Sequence, residues 1–144
     1  LDSCEISATS VVAFGNLTPF STAPDVDADG TITWACTTGS AGTVGIADTD
    51  RNLTSLTTAT SIAYELYSDS GRSSVWTAPA GGGDVAVISA GMSTTADLTV
   101  YGRIPGASYL NADVGAYTDD LVVTITFNTH LRISELLAAE LIDA

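Results

Sequence analysis

The chain has 144 residues, which suits one domain with a hydrophobic core, and 45% of its residues are apolar. Charged residues make up only 15%, and the formal net charge is −13, with four arginines and no lysine. A surface of this sign repels phosphate backbones and anionic headgroups, so the composition argues against nucleic-acid binding and membrane adsorption. No apolar run has the length of a transmembrane helix, and the high Ser, Thr and Gly content is typical of an exported, β-rich protein.

Alternation of apolar and polar residues with a period of two predicts seven strands. In chain order they cover residues 5–12, 31–37, 44–47, 62–67, 85–88, 98–104 and 121–127, of which the third and fifth have the weaker pattern. Gly-, Asp- and Pro-containing segments between them predict turns, at 25–30, 70–71, 81–83 and 105–106. Short strands at regular spacing with such breaks predict an all-β sandwich, and no interdomain linker interrupts it.

Of the two cysteines, Cys4 lies directly before the first predicted strand, in phase with it, and Cys36 lies in the second. An even number of cysteines in a Ser- and Thr-rich acidic chain fits an oxidising compartment. Alternation places Cys4 in phase with Ile6, and Cys36 in phase with Ile32 and Trp34, so both side chains face inwards on neighbouring strands. We therefore predict a Cys4–Cys36 disulfide; two buried free thiols are the alternative.

The acidic segment 25–30, with the sequence DVDADG, matches the first half of an EF-hand calcium loop. Three carboxylates and a glycine turn can wrap Ca²⁺, but the twelfth loop position needs a bidentate Glu and is Cys36 here. That position also lies within a predicted strand. We interpret the segment as an acidic hairpin turn and expect no metal and no cofactor, with a calcium site as the alternative.

Catalytic chemistry has little support in the sequence. A hydrolytic triad needs a base beside its nucleophile, and the only histidine, His130, lies beyond the last predicted strand. The adjacent acids Asp119 and Asp120 would point to opposite faces of a strand, so they do not form the facing carboxylate pair of a glycosidase. We expect no enzymatic activity.

A binding module is a second hypothesis, because aromatic side chains could form a sugar-binding platform. The candidates are Trp34, Trp76, Tyr101 and Tyr109. Packing in the core or at strand edges is the simpler interpretation of most of them. A cluster of exposed aromatic residues at loop tips would favour the binding module.

The segment 128–144 has no Gly or Pro, and its apolar residues fit two periodicities. At helical spacing one face carries Ile133, Leu136, Leu137, Leu141 and Ala144, with Ser134 as a candidate N-cap. At strand spacing one face carries Leu131, Ile133, Leu137, Ala139 and Leu141, interrupted by Glu135. Helix propensity favours the first and an alternating pattern the second, so both remain open.

Several segments, in the right order and spacing over residues 4–127, resemble the spore coat protein U domain. That family includes the subunits of archaic (Csu-type) chaperone–usher pili. The matching segments are Cys4 followed by Phe14-Gly15, TITWAC at 31–36, YELYSD at 64–69 with Arg72 and Trp76, TVYGRIP at 99–105, and YTDDLVVTITF at 117–127.

The resemblance implies an immunoglobulin-like sandwich over residues 1–127 that lacks its final strand, which a donor segment of a neighbouring subunit supplies. It also implies a homopolymer, export through the periplasm with a dedicated chaperone and an outer-membrane usher, and an extracellular pilus with a role in adhesion or biofilm formation. No catalytic residue and no cofactor come with it. The chain begins at Leu1 and its only methionine is Met92, so we expect a mature product without its signal peptide.

The two ends of the chain depart from the family pattern, in which the donor segment precedes the first cysteine. Only three residues precede Cys4, whereas residues 128–144 extend beyond the usual end of the domain. We therefore expect this tail to be the donor strand, with the inward residues Leu131, Ile133, Leu137, Ala139 and Leu141. The acceptor groove would be lined by Leu121, Val123, Ile125 and Phe127.

We expect the donor to insert into a neighbouring subunit, because no glycine provides the commonest hairpin turn at 128–129 for self-insertion; insertion into its own domain is the alternative. A tip adhesin, a carbohydrate-binding sandwich and a spore or cyst coat protein are the alternatives to a pilus shaft subunit.

Overall fold

The computed structural model describes residues 3–17, 23–47, 51–79, 81–88, 91, 94–127 and 131–141; of residues 131–133 and 141 it describes the backbone only. Its strands, in chain order, are β1 (Cys4–Thr9), β2 (Val12–Ala13), β3 (Val26–Cys36), β4 (Ala41–Ile46), β5 (Asn52–Ser55), β6 (Ser61–Ala63), β7 (Glu65–Tyr67), β8 (Val85–Ile88), β9 (Ala96–Ile104), β10 (Tyr117–Phe127) and β11 (Leu131–Leu141). One short helix, α1 (Gly106–Tyr109), follows β9. Within these ranges no helix has the length and apolar character needed to cross a membrane.

Two sheets pack face to face, as the alternation of the strands predicts. The first sheet has the order β1-β3-β9-β7; the second has the order β2-β11-β10-β4-β8, with β5 paired to β10 and β6 paired to β5. The core between them includes the fully buried side chains of Trp76, Tyr117, Ile32, Ile46, Leu53, Ile62, Leu66, Ile104, Leu121, Ile125 and Leu137. The prediction of an immunoglobulin-like β-sandwich is confirmed.

The first predicted strand, 5–12, is two strands in different sheets. β1 pairs with β3, shifts register between Ile6 and Ala8, and ends at Thr9, whereas β2 pairs with β11 in the other sheet. The chain can cross between the sheets because two glycines lie beneath it. A Cβ atom on Gly30 would meet Val12 Cγ2 at 2.7 Å, and one on Gly102 would meet Val12 Cγ1 at 2.8 Å.

The predicted strand 62–67 is also divided between the sheets, so the prediction of one continuous strand is wrong. β6 pairs with β5 in the second sheet and β7 pairs with β9 in the first, with Tyr64 at the crossing point. The inward phase continues through the crossing, since Ile62, Tyr64 and Leu66 are all buried. Alternation alone therefore cannot reveal this change of partner.

The acidic segment 25–30 is not a hairpin turn, and that prediction is wrong. From Val26 onwards it belongs to β3 and pairs antiparallel with β9, with Asp27 opposite Arg103 and Asp29 opposite Tyr101. The alternation of acidic and small residues is a strand period: the carboxylates face solvent, while Gly30 is buried under Val12. Gly30 provides space for a close approach of the crossing chain, not a turn.

The predicted disulfide between Cys4 and Cys36 is confirmed. The two residues are direct partners in the β1–β3 register, and both are buried. The bond fastens the first strand of the chain to the end of β3 and closes a loop with a sequence separation of 32 residues. It therefore limits how far β1 can separate from the first sheet.

Candidate functional site

The candidate site is the inner face of β10, which sequence alternation predicts as an acceptor groove. Its inward residues are buried, with exposures of 4% or less for Leu121, Val123, Ile125 and Phe127. On one side, β10 pairs with β4 from Val123 to Phe127 and with β5 at its beginning. The other side faces β11, which occupies the groove.

The tail is a strand, so the helical alternative does not describe it. β11 pairs antiparallel with β10 without a break, from Tyr117 opposite Leu141 to Phe127 opposite Leu131. The strand pairing satisfies backbone groups along the whole length of β10, which an isolated terminal helix would leave unpaired. Tertiary context thus overrides the helix propensity of the sequence LLAAEL.

The described side chains of the tail follow the predicted strand phase. Leu137 lies opposite Leu121, and both Leu137 and Ala139 are fully buried. Leu136, one position away, faces out and is 59% exposed. The other three predicted donor residues, Leu131, Ile133 and Leu141, lie in β11, but their side chains are outside the described part of the structure.

The phase of the tail is interrupted at Glu135, as the sequence indicates. Glu135 is opposite Val123, whose side chain is fully buried, yet Glu135 itself is exposed. One of its carboxylate oxygens accepts a hydrogen bond from the backbone amide of Leu136, at 3.1 Å. The donor therefore carries a charged group where a pocket-filling apolar side chain would give tighter insertion.

The second edge of β11 is paired over a short stretch only. Ala139 and Glu140 pair in parallel with Val12 and Ala13, and the amide of Phe14 donates to the Glu140 carbonyl at 2.9 Å. Further along, the Thr9 hydroxyl donates to the Leu136 carbonyl at 2.7 Å. Among the described residues, the full-length ladder with β10 is thus the main attachment of the tail.

A buried arginine, Arg51, connects several strands next to this site; the sequence analysis did not identify it. The side chain of Arg51 has no solvent exposure and forms an ion pair with Glu65. It also donates to the carbonyls of Ile46, at 3.2 Å, and of Trp76. These partners belong to the end of β4, the segment before β8, and β7, so Arg51 links both sheets. No sequence pattern marks Arg51; the one indication is the low number of basic residues, four in all, which favours a specific partner for each.

A tyrosine beside Arg51 connects this cluster to β10. Tyr64 is buried, and its hydroxyl donates to an Asp119 carboxylate oxygen at 2.7 Å. Burial of the phenol, together with the hydrogen bond to Asp119, raises the pKa of Tyr64 well above its ordinary value. Asp119 is therefore a hydrogen-bond acceptor for the core.

The two aspartates of β3, Asp27 and Asp29, carry arginine partners instead of forming a calcium cradle. Arg103 binds both carboxylate oxygens of Asp27, at 2.8 and 3.1 Å, and Arg72 binds Asp29 at 2.8 Å. The hydrogen bond from Arg103 lowers the pKa of Asp27, and the charge of Arg72 adds to this effect. In the described ranges, no group of three or more His, Cys, Asp or Glu side chains has a metal-binding arrangement.

The four candidate aromatic residues do not form a common platform. Trp34, Trp76 and Tyr109 are buried, at 5% exposure or less. Tyr101 lies on the outer face of the first sheet, where the Arg72 guanidinium stacks over its ring at 5.5 Å from the centroid. His130, the only histidine of the sequence, lies outside the described residues.

The fold is shared with solved pilin subunits of very different sequence. The CssB subunit of colonization factor CS6 from enterotoxigenic Escherichia coli, in a structure complemented with a donor strand from the CssA subunit, has 16% identity and a TM-score of 0.63, covering 97% of this chain and all of that one. The CooA pilin subunit from enterotoxigenic Escherichia coli has 9% identity and a TM-score of 0.58, and the match covers 98% of this chain and 97% of CooA. AggA, the major subunit of aggregative adherence fimbriae type I from Escherichia coli, has 10% identity and a TM-score of 0.59, and the match covers 97% of this chain and 95% of AggA.

These likenesses define the class as a pilin-type immunoglobulin-like sandwich. Residues 1–124 match the Spore Coat Protein U domain, and the chain belongs to that family, as its sequence resemblance predicts. No curated protein matches the chain in sequence. The similar structures are a pilin subunit and the major subunit of a fimbria.

Proposed function

We propose that this chain is a structural subunit of an extracellular pilus, assembled by donor-strand exchange between copies of itself. The observation that supports it best is the position of β11. This strand is the last of the described strands; it pairs with β10 from Tyr117 to Phe127, and its other described β-pairs are with Val12 and Ala13 of β2. In this proposal, the strand leaves its own groove and enters that of another copy, which breaks these pairs and leaves the other β-pairs in place.

The similar CssB structure supports the same role for the groove, since a strand from a different subunit, CssA, complements that protein. For this chain we assign the donor role to the tail, 128–144, and the acceptor role to the domain, 1–127. Leu131, Ile133, Leu137, Ala139 and Leu141 are the proposed inserting residues. Leu121, Val123, Ile125 and Phe127 are the proposed lining of the groove, and all four are buried.

Self-insertion and exchange use the same register in this proposal. In the monomer, β11 covers its own groove and protects the apolar face from aggregation. In the fibre, the same eleven residues pair with β10 of the next copy. The two states have nearly the same contacts, so the choice depends on subunit concentration and on assembly factors.

The proposed assembly route includes a periplasmic chaperone that occupies the groove and an outer-membrane usher that exports the fibre. The buried Cys4–Cys36 disulfide supports passage through an oxidising compartment. The fibre would then act at the cell surface, in adhesion or biofilm formation. It needs no cofactor and performs no catalysis.

Removal of the tail tests this proposal. We compare the full chain with a variant that ends at residue 127, alone and with a synthetic peptide of residues 128–144, by negative-stain electron microscopy and circular dichroism. We expect filaments from the full chain only, and a peptide-stabilised monomer from the truncated variant. A peptide carrying Leu137→Asp is the matched control and should not stabilise. If the truncated variant polymerises as well as the full chain, the donor role is wrong.

A coat protein is the second candidate, since the matching family is described as a spore coat domain. Such a protein could use the same strand exchange to build a layer instead of a fibre. The microscopy of the full chain separates the two, because a shaft subunit gives single filaments and a coat subunit gives sheets.

A further inference from the structure

A polar pocket lies at one end of the sandwich, separate from the tail groove. It has a volume of about 370 Å³ and opens between the start of β6 and the helix α1. Thr60 and Ser61 form one wall, and Ser108 and Asn111 form the other. Three alanine methyl groups complete the lining, from Ala59, Ala107 and Ala112. Its volume is in the lower part of the range typical of small-molecule sites.

The wall formed by α1 is fixed by contacts to the segment before β3. The hydroxyl of Tyr109, a residue only 2% exposed, donates to the Pro24 carbonyl at 2.7 Å. The amide of Gly106 donates to an Asp25 carboxylate oxygen at 2.9 Å. Gly106 also lies so close to the Ala23 carbonyl that a Cβ atom would overlap with it. This wall is thus held in one position before any ligand arrives.

The wall formed by Thr60 is fixed by a second buried tyrosine. The Tyr117 hydroxyl donates to the Asp113 carbonyl at 2.7 Å and lies 3.1 Å from the Thr60 hydroxyl. The Thr60 hydroxyl also donates to the Asp113 carboxylate at 3.3 Å, and the Thr60 carbonyl accepts from the Ser55 amide at 3.0 Å. Because Tyr117 is fully buried, its ring anchors this wall in the core.

Three polar side chains in the pocket have no such structural task. Within the described ranges, the hydroxyls of Ser61 and Ser108 and the side-chain amide of Asn111 form no hydrogen bond to another protein group. They come from both walls and face a common space. Each of them both donates and accepts hydrogen bonds, which is also the property of a sugar hydroxyl.

The charges around the pocket select the chemical class of ligand. No lining residue is charged, so nothing in the pocket pairs with an ionic group. The Asp113 carboxylate behind Thr60 and the net charge of −13 repel anions. The alanine methyl groups offer apolar contact to the C–H face of a ring. We propose that this pocket binds a neutral saccharide unit, an activity that is additional to the structural role of the subunit and independent of strand exchange.

Nuclear magnetic resonance of the soluble full chain tests this inference. Methyl glucoside, methyl galactoside and N-acetylglucosamine are the neutral probes, and N-acetylneuraminic acid is the charged one. We expect saturable shifts of backbone amide signals from residues 59–61 and 106–112 with at least one neutral probe. The charged probe should leave these signals unchanged.

Variants show whether the shifts report the proposed contacts. Asn111→Ala and Ser108→Ala each remove one hydrogen-bonding group, so each should weaken binding about fivefold. Ser7→Ala is the matched control, because Ser7 lies on β1 beside Thr33, at the opposite end of the first sheet from α1, and should not change binding. The inference is overturned if no neutral probe saturates, if the two pocket variants bind as well as the natural chain, or if the charged probe binds more tightly.

Discussion

The two sheets of the sandwich are closed in different ways. The first sheet is fastened by the Cys4–Cys36 disulfide at one edge and by arginine–aspartate contacts across β3 and β9 on its outer face. The second sheet is completed by β11, which contributes a backbone ladder and, among the described side chains, buried Leu137 and Ala139. The first sheet therefore resists separation of its strands, whereas the second contains β11, the strand that the proposed function requires to leave.

This difference locates the part of the subunit that can change partner. An exchangeable strand must carry enough apolar surface to fill the groove, but few side-chain bonds that hold it to its own domain. In β11 the described side-chain bonds to other strands are the Thr9–Leu136 contact and the pair of hydroxyls of Thr124 and Ser134, 2.9 Å apart. An identical neighbour would offer the same two contacts, so the proposed exchange would cost little free energy.

The largest expected effect comes from the buried arginine that links the two sheets. Arg51→Met removes an ion pair and leaves Glu65 and the carbonyls of Ile46 and Trp76 without their donor. We expect a loss of about 3–5 kcal/mol in the free energy of unfolding, measured in guanidinium chloride. Arg72→Met is the control: its carboxylate partners Asp27 and Asp29 are 39% and 53% exposed, so its loss should cost less than the loss of Arg51. Equal losses from both variants would contradict a special role for Arg51.

Removal of the disulfide is expected to have the second largest effect. The double variant Cys4→Ala with Cys36→Ala should lower the free energy of unfolding by about 3–4 kcal/mol, because the unfolded chain gains the entropy of an open loop. Denaturant unfolding with and without reductant checks this, and reductant should affect the natural chain only. Filament formation by folded protein should persist, because the tail groove is in the other sheet. If the double variant folds fully but forms no filaments, filament formation in the second sheet depends on the disulfide in the first.

The tail offers a comparison between two neighbouring leucines. Leu137→Ala deletes a fully buried side chain opposite Leu121, and we expect a loss of about 3 kcal/mol in monomer stability. Leu136→Ala changes an exposed side chain and should stay within about 0.5 kcal/mol. Chemical denaturation of both variants is the measurement. A larger effect at Leu136 would mean that β11 inserts in the opposite phase.

The smallest expected effect is electrostatic and depends on pH. The folded protein holds the pKa of Asp27 below its ordinary value, mainly through the hydrogen bond from Arg103. A lowered carboxyl pKa stabilises the fold above pH of about 4, and this contribution is lost as the pH falls below that value. Asp27→Asn should therefore reduce the free energy of unfolding at neutral pH by less than about 1 kcal/mol, since both Asp27 and Arg103 are partly exposed. The same variant should also weaken the dependence of the free energy of unfolding on pH in the acid range. Thermal unfolding across an acid pH series tests it; an unchanged acid limb contradicts the pairing.

The sequence predicts the layers of the fold better than the partners of its strands. Alternation identifies the inward residues of β10 and the facing cysteines, because burial of one face has a period of two. It cannot show that the chain changes sheet at Tyr64, since the inward phase continues through the crossing. That change depends on which strand lies alongside, and only the assembled fold decides it.

Composition led to a wrong prediction at residues 25–30, where glycine and aspartate lie in a strand and not in a turn. Residues 25–30 have the composition of a turn, but Gly30 is present because Val12 crosses above it, and Asp27 faces Arg103 of β9. Both reasons involve residues distant in the sequence. The same applies to Arg51, whose carbonyl partners in Ile46 and Trp76 come together only after folding. The tail is the reverse case, where local propensity favours a helix and the open edge of β10 imposes a strand.

The most direct test of strand exchange uses the opposed pair Thr124 and Ser134, whose hydroxyl oxygens are 2.9 Å apart across β10 and β11. Filaments of the double variant Thr124→Cys with Ser134→Cys are oxidised and separated on a non-reducing denaturing gel, with each single variant as a control. Exchange predicts a ladder of covalent oligomers that collapses to monomer on reduction, while freshly purified monomer gives an internal crosslink only. Filaments that yield only internally crosslinked monomer would contradict donor-strand exchange.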